Sequence, residues 1–260
     1  MKRILTTLVF AGVAAAAQAD RVTQTVAYEV DGEPYQGMLV YDGSVSDMRP
    51  GLLMVPNWMG VTERAAEKAY RAGGSEYVVF IADMYGKDIR PQDADEAGKA
   101  ASFVRNDRAL QRQRVNAALE VFKAQADQVA LDTTKIAAIG FCFGGGTVLE
   151  LARSGTEIGG VVSFHGNLDT PNAEDAKAIK TSVLVLHGAD DPYVPAEQVQ
   201  AFEQEMRDAE VDWQLISYGG AVHSFTDPTA AMPGQAEYHP LVAERSFAAM
   251  HQFLRERLAE

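Results

Sequence analysis

The chain contains one cysteine, and it stands in a turn crowded with glycine: Gly140-Phe141-Cys142-Phe143-Gly144-Gly145-Gly146. An apolar run from Ile136 to Phe141 leads into this turn and a helical pattern follows it. A thiol at a strand-to-helix turn is suited to nucleophilic attack. The tight turn raises the side chain above the sheet, and small residues two before and two after let strand and helix pass closely. The N-terminus of the helix favours thiolate over thiol. It also leaves the backbone N–H of Phe143 free to bind an oxyanion. A phosphate loop is a poor match, because both the Gly-x-Gly-x-x-Gly spacing and the Gly-Lys-Ser/Thr ending are missing.

A nucleophile needs a base, and the base needs an orienting acid. Asp191 lies in Ala-Asp-Asp-Pro-Tyr-Val-Pro, just after the apolar run Ser182–Gly188. His223 follows the run Trp213–Gly220, in Ala-Val-His-Ser-Phe. The order nucleophile, acid, histidine, each after a successive strand, is that of an α/β-hydrolase. His165 also ends a strand and is a pocket candidate, but it precedes the acid, which disfavours it as the base. His187 sits upstream of Asp191 in the same run and is expected to be a packed residue with a satisfied ring. His239 and His251 look peripheral. No two histidines stand at a metal-ligand spacing with an acid beside them, so no metal is expected. The chemistry requires no cofactor.

These residues must be positioned by a sheet. Val22–Val30 and Tyr35–Asp42 flank Asp31-Gly32-Glu33-Pro34 and read as a hairpin. Beyond it, short apolar runs (Gly51–Pro56, Tyr77–Met84, Ile136–Phe141, Gly160–Gly166, Ser182–Gly188, Trp213–Gly220) alternate with helical patterns. Runs apolar on both faces suit buried parallel strands. Val115, Ala118, Leu119 and Phe122 form one helical stripe; Phe247, Met250, Leu254 and Leu258 form another. The alternation predicts a doubly wound, mostly parallel α/β sheet with an N-terminal antiparallel hairpin and function at the carboxyl ends of the strands.

Residues 1–19 are expected to lie outside this fold. Lys2 and Arg3, the apolar run Ile4–Ala17 and the closing Ala17-Gln18-Ala19 make a Sec-type signal peptide. The apolar run is short and alanine-rich for a membrane span. The expectation is a chain cleaved before Asp20, one domain over residues 20–260, periplasmic or secreted. Cleavage removes two cations and no acid, leaving 21 Lys+Arg against 36 Asp+Glu, a net charge of −15. Such a surface repels phosphate backbones and anionic lipid, which argues against nucleic-acid and membrane partners. One cysteine cannot form an internal disulfide, and without a resolving partner a redox-sensor role is disfavoured. The oligomeric state stays open.

The motifs together resemble the dienelactone hydrolase family, over most of the chain. Gly-Phe-Cys-Phe-Gly-Gly is similar to its cysteine elbow, and Gly-Ala-Asp-Asp-Pro-Tyr-Val-Pro to its acid loop, which picks Asp191 over Asp190. Ala-Val-His-Ser-Phe resembles its histidine motif. Val55–Val61 resembles the loop that supplies a second oxyanion N–H, here that of Trp58. The resemblance implies an α/β-hydrolase fold and a hydrolase that cleaves an ester or lactone with Cys142, His223 and Asp191; the leader adds the expectation of export. It also marks departures. Asn57 stands where well-known members carry a glutamate beside the thiol, so activation is expected to rest on His223 and Asp191 alone. Of two arginines that hold a substrate carboxylate there, one place is Lys87 and the other Asp227, which is expected to repel an anionic substrate; the alternative is that Asp227 points to solvent or caps the turn at Pro228. Trp58, Met59, Met84 and Tyr85 are expected around the site as apolar lining. The alternative to an enzyme is a non-catalytic exported small-molecule-binding protein on the same scaffold.

Overall fold

The computed structural model describes residues 20–259, so the expected leader over residues 1–19 lies outside the described residues. The hairpin forms from β1 (Arg21–Val30) and β2 (Glu33–Asp42), paired antiparallel. Asp31 and Gly32 turn it with positive φ angles of 53° and 81°, the backbone that a two-residue hairpin loop demands. Then come β3 (Arg49–Val55), α1 (Glu63–Gly73), β4 (Val78–Ile81), α2 (Ala94–Arg105), α3 (Arg108–Lys123), β5 (Leu131–Phe141) and α4 (Phe143–Arg153). The chain continues through β6 (Gly160–Phe164), β7 (Ser182–Gly188), α5 (Ala196–Asp208), β8 (Trp213–Tyr218), a short hairpin of β9 (Ala231–Met232) and β10 (Ala236–Glu237), and α6 (Pro240–Leu258).

Eight strands make one sheet in the order β1-β2-β4-β3-β5-β6-β7-β8. β2 meets β4 antiparallel, and every pairing from β4 through β8 is parallel. This is the expected doubly wound sheet with its antiparallel N-terminal edge. Alternate residues of the central strands point to opposite faces. Leu53 and Val55 of β3 join the cores of α3, α4 and α5, whereas Leu52 and Met54 join those of α1 and α6. Both helical stripes read from the sequence are buried as predicted: Val115 to Phe122 on α3, and Phe247 to Leu258 on α6. Burying a Leu or Phe side chain of this kind stabilises by ~1.5–3 kcal/mol.

β4 is shorter than the apolar run Tyr77–Met84 suggests. Past Ile81 the chain leaves the ladder because Asp83 takes over its hydrogen bonds. One carboxylate oxygen accepts the N–H groups of Tyr85 and Gly86, and the other accepts that of Gln36 and the Arg90 guanidinium. The buried carboxylate therefore fixes the loop that delivers Tyr85.

Candidate active site

The carboxyl ends of β3 to β8 converge on one edge of the sheet. Cys142 follows β5 directly, with φ 56° and ψ −119°. A non-glycine residue in this region is strained and must be held by its surroundings. Two glycines make the turn possible. A Cβ on Gly140 would lie 2.0 Å from the Gly144 carbonyl oxygen, and one on Gly144 would lie 2.1 Å from that of Val55. The strand and helix pass too closely for any side chain at either place.

His223 lies in the loop after β8. Its Nδ1 is 2.8 Å from Asp191 Oδ2, in the loop after β7. Asp191 Oδ1 accepts the Tyr193 N–H at 2.9 Å, so the buried carboxylate has partners on both oxygens. His223 is also coupled electrostatically to the Cys142 sulfur, each favouring the charged form of the other. The backbone N–H groups of Phe143 and Trp58 also favour the charged form of the sulfur. The structure thus brings together the five residues that the sequence pattern singled out at four strand ends, after β3, β5, β7 and β8.

The electrostatics favour a charge-separated pair. Burial pushes the Cys142 thiol up, but the His223 hydrogen bond and charge, with the two N–H groups, outweigh it and leave the thiol below its ordinary value. Burial pulls His223 down, and the Asp191 hydrogen bond and the thiolate reverse this, raising it to about 10.

Asn57 does not face the thiol as an acid would. Its side-chain oxygen accepts the Met59 N–H at 3.1 Å and its carbonyl accepts the Gly60 N–H at 2.9 Å, which folds the loop that presents Trp58. Met59 is half-buried in this loop. Tyr85 is buried, packs on the Phe143 ring and donates its hydroxyl to the Trp58 carbonyl at 2.9 Å. It braces the loop rather than merely lining a pocket. Met84 is buried in the core, so it is not lining. Lys87 is exposed, without a side-chain ion pair among the described residues. His165 is buried against both Cys142 and His223. His187 is buried as expected, but its Nδ1 lacks a hydrogen-bond partner among the described residues, contrary to the satisfied ring expected for it.

Asp227 takes the alternative role, that of a turn cap, rather than the repulsive one. One of its oxygens accepts the N–H and hydroxyl of Thr229, at 3.0 and 2.9 Å, and the other lies 3.9 Å from Lys68 Nζ. The carboxylate caps a turn and faces a largely buried cation, so it does not confront the substrate as a bare negative charge. Lys68 also sits 4.8 Å from the Phe141 ring centroid. Burial pulls Lys68 below its ordinary value, opposed by Asp227 and Cys142. Sequence reasoning missed this lysine. The signal was there: it lies on the Ala65, Ala69, Ala72 stripe of α1, an apolar face where a cation needs a partner. Also missed was the β9–β10 hairpin, which grips the His223 backbone: Gln235 accepts the His223 N–H at 3.1 Å and Glu237 donates to its carbonyl at 3.0 Å.

Among the described residues no group of three or more His, Cys, Asp or Glu is placed to hold a metal ion. No described helix is long and apolar enough to cross a membrane.

Known proteins resemble this chain to different depths. A dienelactone hydrolase-like promiscuous phosphotriesterase from metagenomic libraries superposes with a TM-score of 0.85 at 40% identity, over 92% of this chain and 99% of its own. The carboxymethylenebutenolidase homolog of Rattus norvegicus is 27% identical over 158 residues, 58% of this chain and 60% of that protein. An alpha/beta hydrolase from a Medee basin deep-sea metagenome library shares the fold, with a TM-score of 0.64 at 18% identity, over 92% of this chain and 99% of its own. The family model of the dienelactone hydrolases matches residues 37–258, which takes in the sheet from β2 onward and every loop described above. An ester- or lactone-cleaving α/β-hydrolase fold, matched from its second strand to its last helix, makes this chain a member of the dienelactone hydrolase family.

Proposed function

We propose that this hydrolase works through Cys142, His223 and Asp191, on neutral ester or lactone substrates, after export from the cytoplasm. The observation that carries the catalytic part is the 2.8 Å bond from Asp191 to His223, with His223 and the Phe143 and Trp58 N–H groups lowering the Cys142 thiol.

The thiolate of Cys142 attacks the carbonyl carbon and a C–S bond forms. The carbonyl electron pair moves to oxygen, where the N–H groups of Trp58 and Phe143 hold it. The tetrahedral adduct collapses, the C–O bond to the leaving alkoxide breaks, and the His223 imidazolium gives that oxygen its proton. His223, now neutral, takes a proton from water as the water oxygen attacks the thioester. Collapse expels the thiolate and releases the carboxylic acid. Asp191 holds Nδ1–H throughout and steadies the positive ring.

The titrations set the expected pH dependence. Cys142 is lowered, so the thiolate persists above that lowered value; His223 is raised, so the imidazolium persists below about 10. The log of kcat/KM should therefore rise with pH through a thiol titration lying below its ordinary value, level off, and fall as pH passes about 10. A profile that begins to rise only near the free-thiol range of ~8.5 would contradict the resting ion pair.

Substrate charge follows from what surrounds the sulfur. The Lys68–Asp227 pair is neutral overall, and Lys87 is exposed. Trp58 and Tyr193, 39% and 50% exposed, flank the site, and the Tyr193 ring stands edge-on to His223 at 5.2 Å. Apolar rims and a nearby cation already paired to Asp227 suit uncharged substrates. Neutral aryl esters and lactones should exceed carboxylated analogues by about tenfold or more in kcat/KM, or ~1.4 kcal/mol. A screen of matched pairs reads this directly, and equal or reversed preference would overturn it. A second reading, cleavage of neutral phosphotriesters, draws on the 40% identical relative. The same screen with a neutral phosphotriester tests it.

Export is supported by Lys2, Arg3, the apolar run and Ala17-Gln18-Ala19. Intact mass of protein recovered from its host should correspond to a chain beginning at Asp20, and a full-length cytoplasmic species would contradict it.

A further inference from the structure

His165 is the second histidine in contact with the elbow, and the chemistry above leaves it without a task. It follows β6 with φ 39°, a strained backbone for a non-glycine residue, fixed by its N–H donating to the Leu186 carbonyl at 2.8 Å. It is 2% exposed. Its Nδ1 accepts the backbone N–H of Cys142 at 3.2 Å, a hydrogen that Cys142 shares with the Phe164 carbonyl at 3.0 Å. Its Nε2 lies 2.8 Å from the hydroxyl of Thr226, which is fully buried. Thr226 belongs to the loop that carries His223, and the two imidazoles meet edge-on at 5.2 Å.

These contacts fix the tautomer. Nδ1 accepts an N–H and so carries no proton; a neutral ring then has its proton on Nε2, where it donates to Thr226. The charged neighbours keep it neutral: burial, then the His223 and Lys68 charges, hold His165 well below the ordinary histidine value. Asp227, beyond Thr226, is turned to Lys68 and Thr229. With the Nδ1 lone pair taken by the Cys142 N–H and Nε2 already protonated, His165 has no free lone pair and cannot serve as the base.

Resting on the reading of Cys142 as nucleophile and His223 as its base, we propose that His165 is a positioning residue: a neutral imidazole that ties the Cys142 backbone to the His223 loop through Thr226, and so sets the sulfur-to-imidazole distance. Two strained backbones, at Cys142 and His165, are braced by one ring that spans three strand ends. Misplacing a reacting pair by even a fraction of the contact distance is costly to rate.

The test uses His165→Asn, His165→Phe and Thr226→Val in the otherwise intact protein. Each is read by kcat and KM for a neutral aryl ester, by the pH profile of Cys142 alkylation with iodoacetamide, and by Tm. Asparagine can place its side-chain oxygen where Nδ1 sits and keep the Cys142 N–H satisfied; phenylalanine fills the space and cannot. His165→Phe is expected to lower kcat by about tenfold or more with KM nearly unchanged, and to move the acid limb of alkylation toward higher pH; His165→Asn should stay within about threefold of wild type and keep the limb in place. Mere packing would give the opposite ranking, because asparagine leaves a void and phenylalanine does not. That opposite ranking, or a His165→Phe alkylation profile identical to wild type, overturns the proposal. If His165→Phe does not fold, Thr226→Val decides: an unshifted limb with unchanged kcat overturns the tie. The alkylation readout needs no turnover, so an error about the hydrolytic role of Cys142 would show separately, as full activity in Cys142→Ala.

Discussion

Replacing Cys142 with alanine, or His223 with alanine, is expected to lower kcat by on the order of a thousandfold or more, and the double variant should be little worse than either single one. Removing the sulfur removes the nucleophile. Removing the imidazole removes the counter-charge that lowers the half-buried thiol, which then returns toward its neutral form. Each change disables the same step, and their effects cannot add. The residual rate comes from binding and from the Trp58 and Phe143 N–H groups, which both variants retain. Steady-state kinetics on a neutral ester measures all three proteins. Two single variants that turn over at the wild-type rate would contradict the assignment, as would a double variant that multiplies the two losses.

The second large effect is expected at Gly144, which carries no reactive group. A methyl group there would lie 2.1 Å from the Val55 carbonyl oxygen and 2.5 Å from that of Pro56. Both atoms are backbone at the end of β3, so neither can rotate aside. Gly144→Ala must push the end of β3 away from the first turn of α4. Asn57 and Trp58 follow immediately, so the push separates the Trp58 N–H from the sulfur while Phe143 stays on α4. Overpacking of this kind destabilises by ~1–3 kcal/mol or more. Loss of one oxyanion donor lowers kcat by about a hundred- to a thousandfold. Thermal unfolding and kinetics on the same preparation check both. A folded Gly144→Ala enzyme with wild-type kcat would mean that the Trp58 loop is not held by this contact.

The sheet and the cluster were legible for a physical reason. Strands buried on both faces are apolar throughout, and their order along the chain fixes which turns meet at one edge. Cys142, Asp191 and His223 each follow such a strand, so their meeting could be read without coordinates. Asp227 could not be read this way. Its position reveals its charge, but its partner Lys68 lies on a distant helix and its turn is closed by Thr229. A charge without its partner was read as repulsion. β9 and β10, two residues each, are too short to leave an alternation pattern, yet they hold the His223 backbone. Tyr85 read as apolar lining because a sequence shows the ring and not the hydroxyl bond to Trp58.

The central claim is that Cys142 becomes covalently acylated and that His223 clears the acyl group. The most direct measurement is mass spectrometry of the enzyme quenched during turnover of an aryl acetate, with the modified peptide located. One acetyl group on the peptide holding Cys142 is expected, transient in the wild type and absent in Cys142→Ala. Turnover without any acyl group on Cys142, or an acyl group borne by another residue, would contradict the account.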